Sequence, residues 1–153
     1  TFTLLLDYKH IFYSGVKSIA NSSRNPFPFG WSNGPGFGWK DVDVVSLGAE
    51  WRATRDLTLR AGYAHNTNPV RSRDVTLNIL APGVVTDHFT AGLSYALTRN
   101  ASIEFAAVYV PKHTVTGPDM ANTGVVKLSM SQFEATVGLT YKFGAPAPVV
   151  AKY

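Results

Sequence analysis

The chain has 153 residues, a net charge of +4, 45% hydrophobic residues and only 16% charged residues, where soluble domains carry roughly 25%. It has no cysteine, which excludes a disulfide framework and a thiolate metal site. No run approaches the ~18 apolar residues of a transmembrane helix.

Taken in chain order, the dominant signal is strict two-residue alternation. The first run, Phe2 to Tyr13, sets Leu4, Leu6, Tyr8 and Phe12 against Thr3, Asp7 and Lys9. The second sets Val45, Leu47, Ala49 and Trp51 against Val44, Ser46, Gly48 and Glu50. The third sets Leu57, Leu59, Ala61 and Tyr63 against Thr58, Arg60, Gly62 and Ala64. The fourth alternates Phe89, Ala91, Leu93, Tyr95 and Leu97 with His88, Thr90, Gly92, Ser94 and Ala96. The fifth alternates Ile103, Phe105, Ala107 and Tyr109 with Ser102, Glu104, Ala106 and Val108. The last and clearest alternates Phe133, Ala135, Val137, Leu139, Tyr141 and Phe143 with Gln132, Glu134, Thr136, Gly138, Thr140 and Lys142. A strand of that length is about 40 Å long at ~3.3 Å per residue. Tilted by about 45°, it crosses about 28 Å, close to the hydrocarbon thickness of a bilayer.

The connections alternate too. Those around Thr54-Arg55-Asp56 and Thr98-Arg99-Asn100 are short, whereas roughly 15–40, 65–87 and 111–130 are expected to be long loops. Short periplasmic turns and long extracellular loops are the habit of outer-membrane barrels. By that parity the last strand runs to the periplasm. Aromatics on the apolar face then gather at two interfacial levels: Tyr63, Phe89, Tyr109 and Phe133 outside, Trp51, Tyr141 and Phe143 inside. The expected fold is therefore an all-β, antiparallel, up-and-down transmembrane barrel. Six strands leave two raw edges, and open edges are not tolerated in lipid, so further strands are expected from upstream first and from partner chains second. The chain opens without a methionine or a signal peptide and reads as a fragment or a processed piece of an exported protein.

Several stretches resemble the FadL-like family of outer-membrane channels for hydrophobic compounds. These are Gly34-Pro-Gly-Phe-Gly-Trp39 with Lys40-Asp41 and Leu47-Gly-Ala-Glu-Trp51, then Leu57-Thr-Leu-Arg-Ala-Gly-Tyr63 with Asn68-Pro-Val70. Asn78-Ile-Leu-Ala-Pro-Gly-Val-Val85 leading through Asp87-His88 into Gly92-Leu-Ser-Tyr95, and the closing Val137-Gly-Leu-Thr-Tyr-Lys-Phe143, complete the likeness. The sequence departs from the family after Tyr63, where Ala64-His-Asn-Thr-Asn-Pro69 replaces a Tyr-Asp-x-Thr-Pro type of segment. The resemblance implies a fourteen-stranded barrel with an N-terminal hatch, of which residues 1–143 supply about the last six strands. It also implies passive transport of long-chain fatty acids or other hydrophobic molecules. Residues 144–153 are expected to form a periplasmic tail, leaving Phe143 and Tyr153 as candidate signals for the barrel assembly machinery.

Two groups of residues are candidates for function. Glu50, Arg60, Glu104 and Glu134 fall on the polar, lumen-side faces, where they are expected to pair as arginine–carboxylate bridges or to place a cation near the path of a ligand carboxylate. Phe27, Phe29, Trp31, Phe37 and Trp39 crowd the first long loop. They offer either a capture surface for a hydrophobic ligand or packing against the barrel mouth. Seven basic residues in or beside the long loops (Lys17, Arg24, Lys40, Arg71, Arg73, Lys112, Lys127) suit outer-membrane lipid and lipopolysaccharide, and form no run suited to nucleic acid. His10, His65, His88 and His113 fall at the outer ends of strands on differing faces, as rim residues and not as a metal site. No phosphate loop, nucleophile motif or cofactor signature is present, so neither an enzyme nor a cofactor is expected. The alternative to a transport channel is a structural or adhesive outer-membrane barrel whose loops bind lipopolysaccharide or a host surface; a hydrophilic porin ranks third.

Overall fold

The computed structural model describes residues 1–144; the residues beyond, including Tyr153 and nearly all of the expected tail, lie outside it. Six strands follow one another as β1 (Phe2–Ile11), β2 (Val42–Arg52), β3 (Leu57–Asn66), β4 (Asp87–Ala96), β5 (Ala101–Pro118) and β6 (Val125–Tyr141). Each pairs antiparallel with the next in a single sheet of order β1 to β6. This is the up-and-down arrangement expected, and the sheet is open, with β1 and β6 as its edges. Among the described residues no helix is long and apolar enough to cross a membrane.

The two short turns use the same chemistry. Thr54 accepts from the backbone N–H groups of Asp56 and Leu57 through its hydroxyl, and Thr98 does so from Asn100 and Ala101. A threonine hydroxyl that accepts from the amides two and three residues on closes a tight reversal without a glycine.

The ladders align side chains into rows. On one face Leu47, Tyr63, Phe89, Tyr109 and Phe133 stand directly opposite one another across five strands. The next row toward the short turns is Ala49, Ala61, Ala91, Ala107 and Ala135, and the next is Trp51, Leu59, Leu93, Phe105 and Val137. The outer aromatics, expected at one membrane level, stand in one register row. The inner group does not: Tyr141 pairs with Ala101, two rows nearer the short-turn end than Trp51, and Phe143 lies past the strand. Trp51, Tyr95 and Tyr141 descend one row for every two strands. A drop of about 6.6 Å per ~9.6 Å of sheet is a slant of about 35°, the tilt typical of membrane barrel strands.

This apolar face is not a packed core. Val137 is 70% exposed and Leu139 74%, as are Leu4 and Leu6 at 74%. The buried hydrophobic residues are Val42, Val70, Val75, Val84, Val110 and Leu128, all at or beyond the long-loop ends of the strands. Leaving a Leu, Val or Phe in water forfeits about 1.5–3 kcal/mol each relative to burial, so a face of this size requires a non-aqueous neighbour.

The expected third long loop is a further departure. Residues 111–130 are not a long loop: β5 and β6 continue as a hairpin to Pro118 and from Val125, with a register shift between Val110 and His113. The shift breaks the two-residue period, and beyond it Val115, Val126, Leu128 and Met130 turn toward the loops. Pro111 and Gly117-Pro118 look like loop residues in sequence but sit at a bulge and at a hairpin end.

The adjacent residues Ala106 and Ala107 face opposite sides. Ala107→Arg is expected to destabilise the full-length barrel in vesicles by about 2–4 kcal/mol, the usual cost of a cation at the lipid midplane. Ala106→Arg should cost much less; urea titration by tryptophan fluorescence measures both, and equal costs would contradict the face assignment.

Candidate functional site

The other face of the sheet is built from small and polar side chains. One row reads Leu5, Gly48, Gly62, Thr90, Val108 and Glu134, and the next toward the short turns reads Thr3, Glu50, Arg60, Gly92, Ala106 and Thr136. A Cβ on Gly62 would come within 2.6 Å of the Thr90 hydroxyl, so glycine there leaves room for the Thr90 side chain to lie over β3. Leu5 to Val108 of the first row and Glu50 to Ala106 of the second line a groove of about 760 Å³ that also takes in Asp7.

The expected charged residues divide. Arg60 faces Glu50 across the β2–β3 ladder, and its Nε donates to the Glu50 carboxylate at 2.8 Å. Arg52 approaches the other Glu50 oxygen at 3.7 Å. Glu104 lies opposite Ser94 and Gly138, and Glu134 opposite Val108. Among the described residues neither has an ion-pair partner, so the expectation of bridges holds for Glu50 alone. No basic residue occupies the cross-strand positions beside them.

The loop aromatics divide as well. Trp39 lies against the cluster of Val70, Val75, Val84 and Leu128, with Tyr13 edge-on to it. Its indole N–H donates to Asn78 Oδ1 at 2.5 Å, while the Asn78 amide nitrogen donates to the Phe37 carbonyl at 2.7 Å. Phe37 and Trp39 therefore hold the loop in place. Phe27, Phe29 and Trp31 remain exposed on a segment whose base is closed by Asn21 and Asn25, both donating to carbonyls at 32–34.

Sequence reasoning missed what binds the long connections into one cap. Asp74 is fully buried and accepts from the Ser22 hydroxyl, the Ser23 hydroxyl and the Ser23 backbone N–H at 2.7–2.8 Å. Burial pushes its carboxyl up, but these donors and Arg73 outweigh that and hold it below its usual value. Gly38 adopts φ of +69°, and a Cβ there would collide with the Asp74 carboxylate. Arg24 donates to the carbonyls of Arg73 and Asp119 at 3.0 and 2.7 Å, tying the first loop to the second and to the β5–β6 hairpin.

The rim holds a repeated device. Asp43 on β2 accepts from Tyr8 and meets His10 Nδ1 at 2.7 Å. Asp87 on β4 accepts from Tyr63 and Thr86 and meets His65 Nδ1 at 2.9 Å. Both histidines are rim residues on the apolar side of the sheet. No group of three or more His, Asp or Glu among the described residues is placed to hold a metal.

Residues 1–145 match the family described as outer membrane protein transport protein (OMPP1/FadL/TodX). The chain belongs to this family. It is also 27% identical over 114 residues to a Neisseria meningitidis serogroup B (strain ATCC BAA-335 / MC58) protein named "Putative outer membrane protein NMB0088". That similarity covers 69% of this chain and 24% of the relative, so the chain spans about a quarter of the relative it matches. No solved structure matches. As part of a FadL/TodX-family outer-membrane protein, the sheet sets its apolar rows toward lipid and the groove toward the lumen.

Asp74→Ala strands the donors of Ser22 and Ser23 in a dry interior, at about 1–3 kcal/mol. Limited proteolysis of intact outer membranes should then cut residues 12–41 and 67–86 faster while the strands resist. The lowered Asp74 value means that the cap's extra stability is full above the ordinary 3.8 and lost as pH falls through the folded value below it. Protection should therefore hold at neutral pH and fade only in strong acid; fading near pH 6 would contradict the assignment.

Proposed function

We propose that the intact protein is a passive outer-membrane channel for hydrophobic compounds, with long-chain fatty acids and aromatic hydrocarbons as the two candidate classes. The observation that carries this reading is the lumen groove of about 760 Å³, lined largely by Leu5, Gly48, Gly62, Gly92, Ala106 and Val108, in a chain of the FadL/TodX family. Its size lies within the roughly 300–1,000 Å³ usual for small-molecule sites. Glu50, Arg60, Glu104 and Glu134 are the polar elements of the path. Phe27, Phe29 and Trp31 are the capture surface at the mouth, presented on a base that Arg24 and Asp74 fix.

The same exposed aromatics support a second reading, a barrel whose cap contacts lipopolysaccharide or a host surface while the lumen is plugged. The triple substitution of Phe27, Phe29 and Trp31 by alanine spares the residues that hold the cap together. Under the channel reading it lowers uptake of a hydrophobic tracer by full-length protein several-fold at low tracer concentration. Intact uptake with lost surface adhesion would favour the second reading, and absence of apolar ligand binding by the full-length protein would overturn the first.

A further inference from the structure

Charge along the lumen wall is unevenly answered. Asp7, Glu50 and Arg60 line the groove itself. Arg60 is the one base among them, and its Nε is already engaged by Glu50. Glu134 stands directly across the ladder from the groove residue Val108, and Glu104 precedes the groove residue Ala106 by two positions on the same face of β5. Both are exposed and unpaired among the described residues. Arg52 is half committed to Glu50 at 3.7 Å, and Lys9 lies farther out, opposite Val44. Four acids (Asp7, Glu50, Glu104, Glu134) and four bases (Lys9, Arg52, Arg60, Lys142) fall on this face, but Arg60, the base that lines the groove, is paired with Glu50, while Glu104 and Glu134 have no ion-pair partner among the described residues.

We infer that the groove selects uncharged hydrophobic compounds over carboxylate amphiphiles, and that Glu104 and Glu134 are the residues that set this preference. The inference rests on the channel reading and narrows its ligand class. An apolar chain lying along Gly48, Gly62 and Val108 with its head group at the Val108 end places that group about 5 Å from Glu134 at ~4.8 Å per strand, and about 13 Å from Glu104 at ~3.3 Å per residue. In the partly screened interior of a protein, two like charges at that range repel by enough to change affinity roughly tenfold. An alcohol or an aromatic hydrocarbon carries no such penalty.

The test compares 1-dodecanol with laurate, which share chain length and differ in charge, on purified full-length protein in detergent at neutral pH. Titration is followed by intrinsic tryptophan fluorescence. Wild type should bind dodecanol about tenfold or more tightly than laurate. In the double variant Glu104→Gln/Glu134→Gln, the ratio of laurate to dodecanol affinity should rise about tenfold. The wild-type comparison stands even if the variant fails to fold. Laurate binding at least as tightly as dodecanol, or a ratio unmoved in a folded variant, overturns this inference and leaves the channel reading intact. Binding of neither compound overturns the channel reading and this inference with it.

Discussion

No water reaches a backbone amide inside a bilayer, so every N–H and C=O that crosses it must be paired within the protein. The five antiparallel ladders do this without interruption through the middle of the sheet. Once the ladders are set, the pleat places neighbouring residues on opposite sides. The alanine row from Ala49 to Ala135 and the row from Leu5 to Glu134 are then adjacent in sequence yet meet different solvents. Side-chain burial within the protein is not what holds this region, which is why Val137 and Leu139 are exposed in a family of outer-membrane proteins.

Outside the membrane the constraint changes, and so does the structure. Water can satisfy a backbone group there, so β5 and β6 tolerate a register shift after Val110 and the strict alternation ends. Hydrophobic residues turn toward one another instead, and Val70, Val75, Val84 and Leu128 make an ordinary small core with Trp39 over it. Its polar fasteners, Asp74, Asn78 and Arg24, tie segments far apart in the chain. The cap is thus a folded platform that leaves Phe27, Phe29 and Trp31 exposed to the outside.

What could be read from the sequence follows from these two regimes. Where a side chain has only two possible neighbours, lipid or lumen, period two suffices. Strand order, facing and the pairing of Arg60 with Glu50 were legible there, because residues Leu57 to Tyr63 carry the pattern without a break. The β5–β6 extension was not, since Pro111 and the bulge erase the period locally. The inner aromatics Trp51 and Tyr141, expected at one level, stand two register rows apart, because tilt is a property of the whole sheet that no local pattern reports. The division of Phe37 and Trp39 from Phe27, Phe29 and Trp31 depends on Asn78, about forty residues away, which no local pattern reports. The Tyr-x-His pairs at Tyr8–His10 and Tyr63–His65, each meeting an aspartate at the start of the next strand, left a visible trace: the same motif twice at the same strand position.

The central claim is that the odd-numbered side chains of β6 from Phe133 to Tyr141 meet hydrocarbon and the even-numbered ones between them meet the lumen. Nitroxide labels placed singly at residues 135–140 of the full-length protein in lipid vesicles test it directly, by collision with oxygen and with a water-soluble nickel complex. The account predicts high oxygen and low nickel accessibility at Ala135, Val137 and Leu139, and the reverse at Thr136, Gly138 and Thr140. Odd-numbered labels shielded from both reagents, as in a packed protein interior, would contradict it.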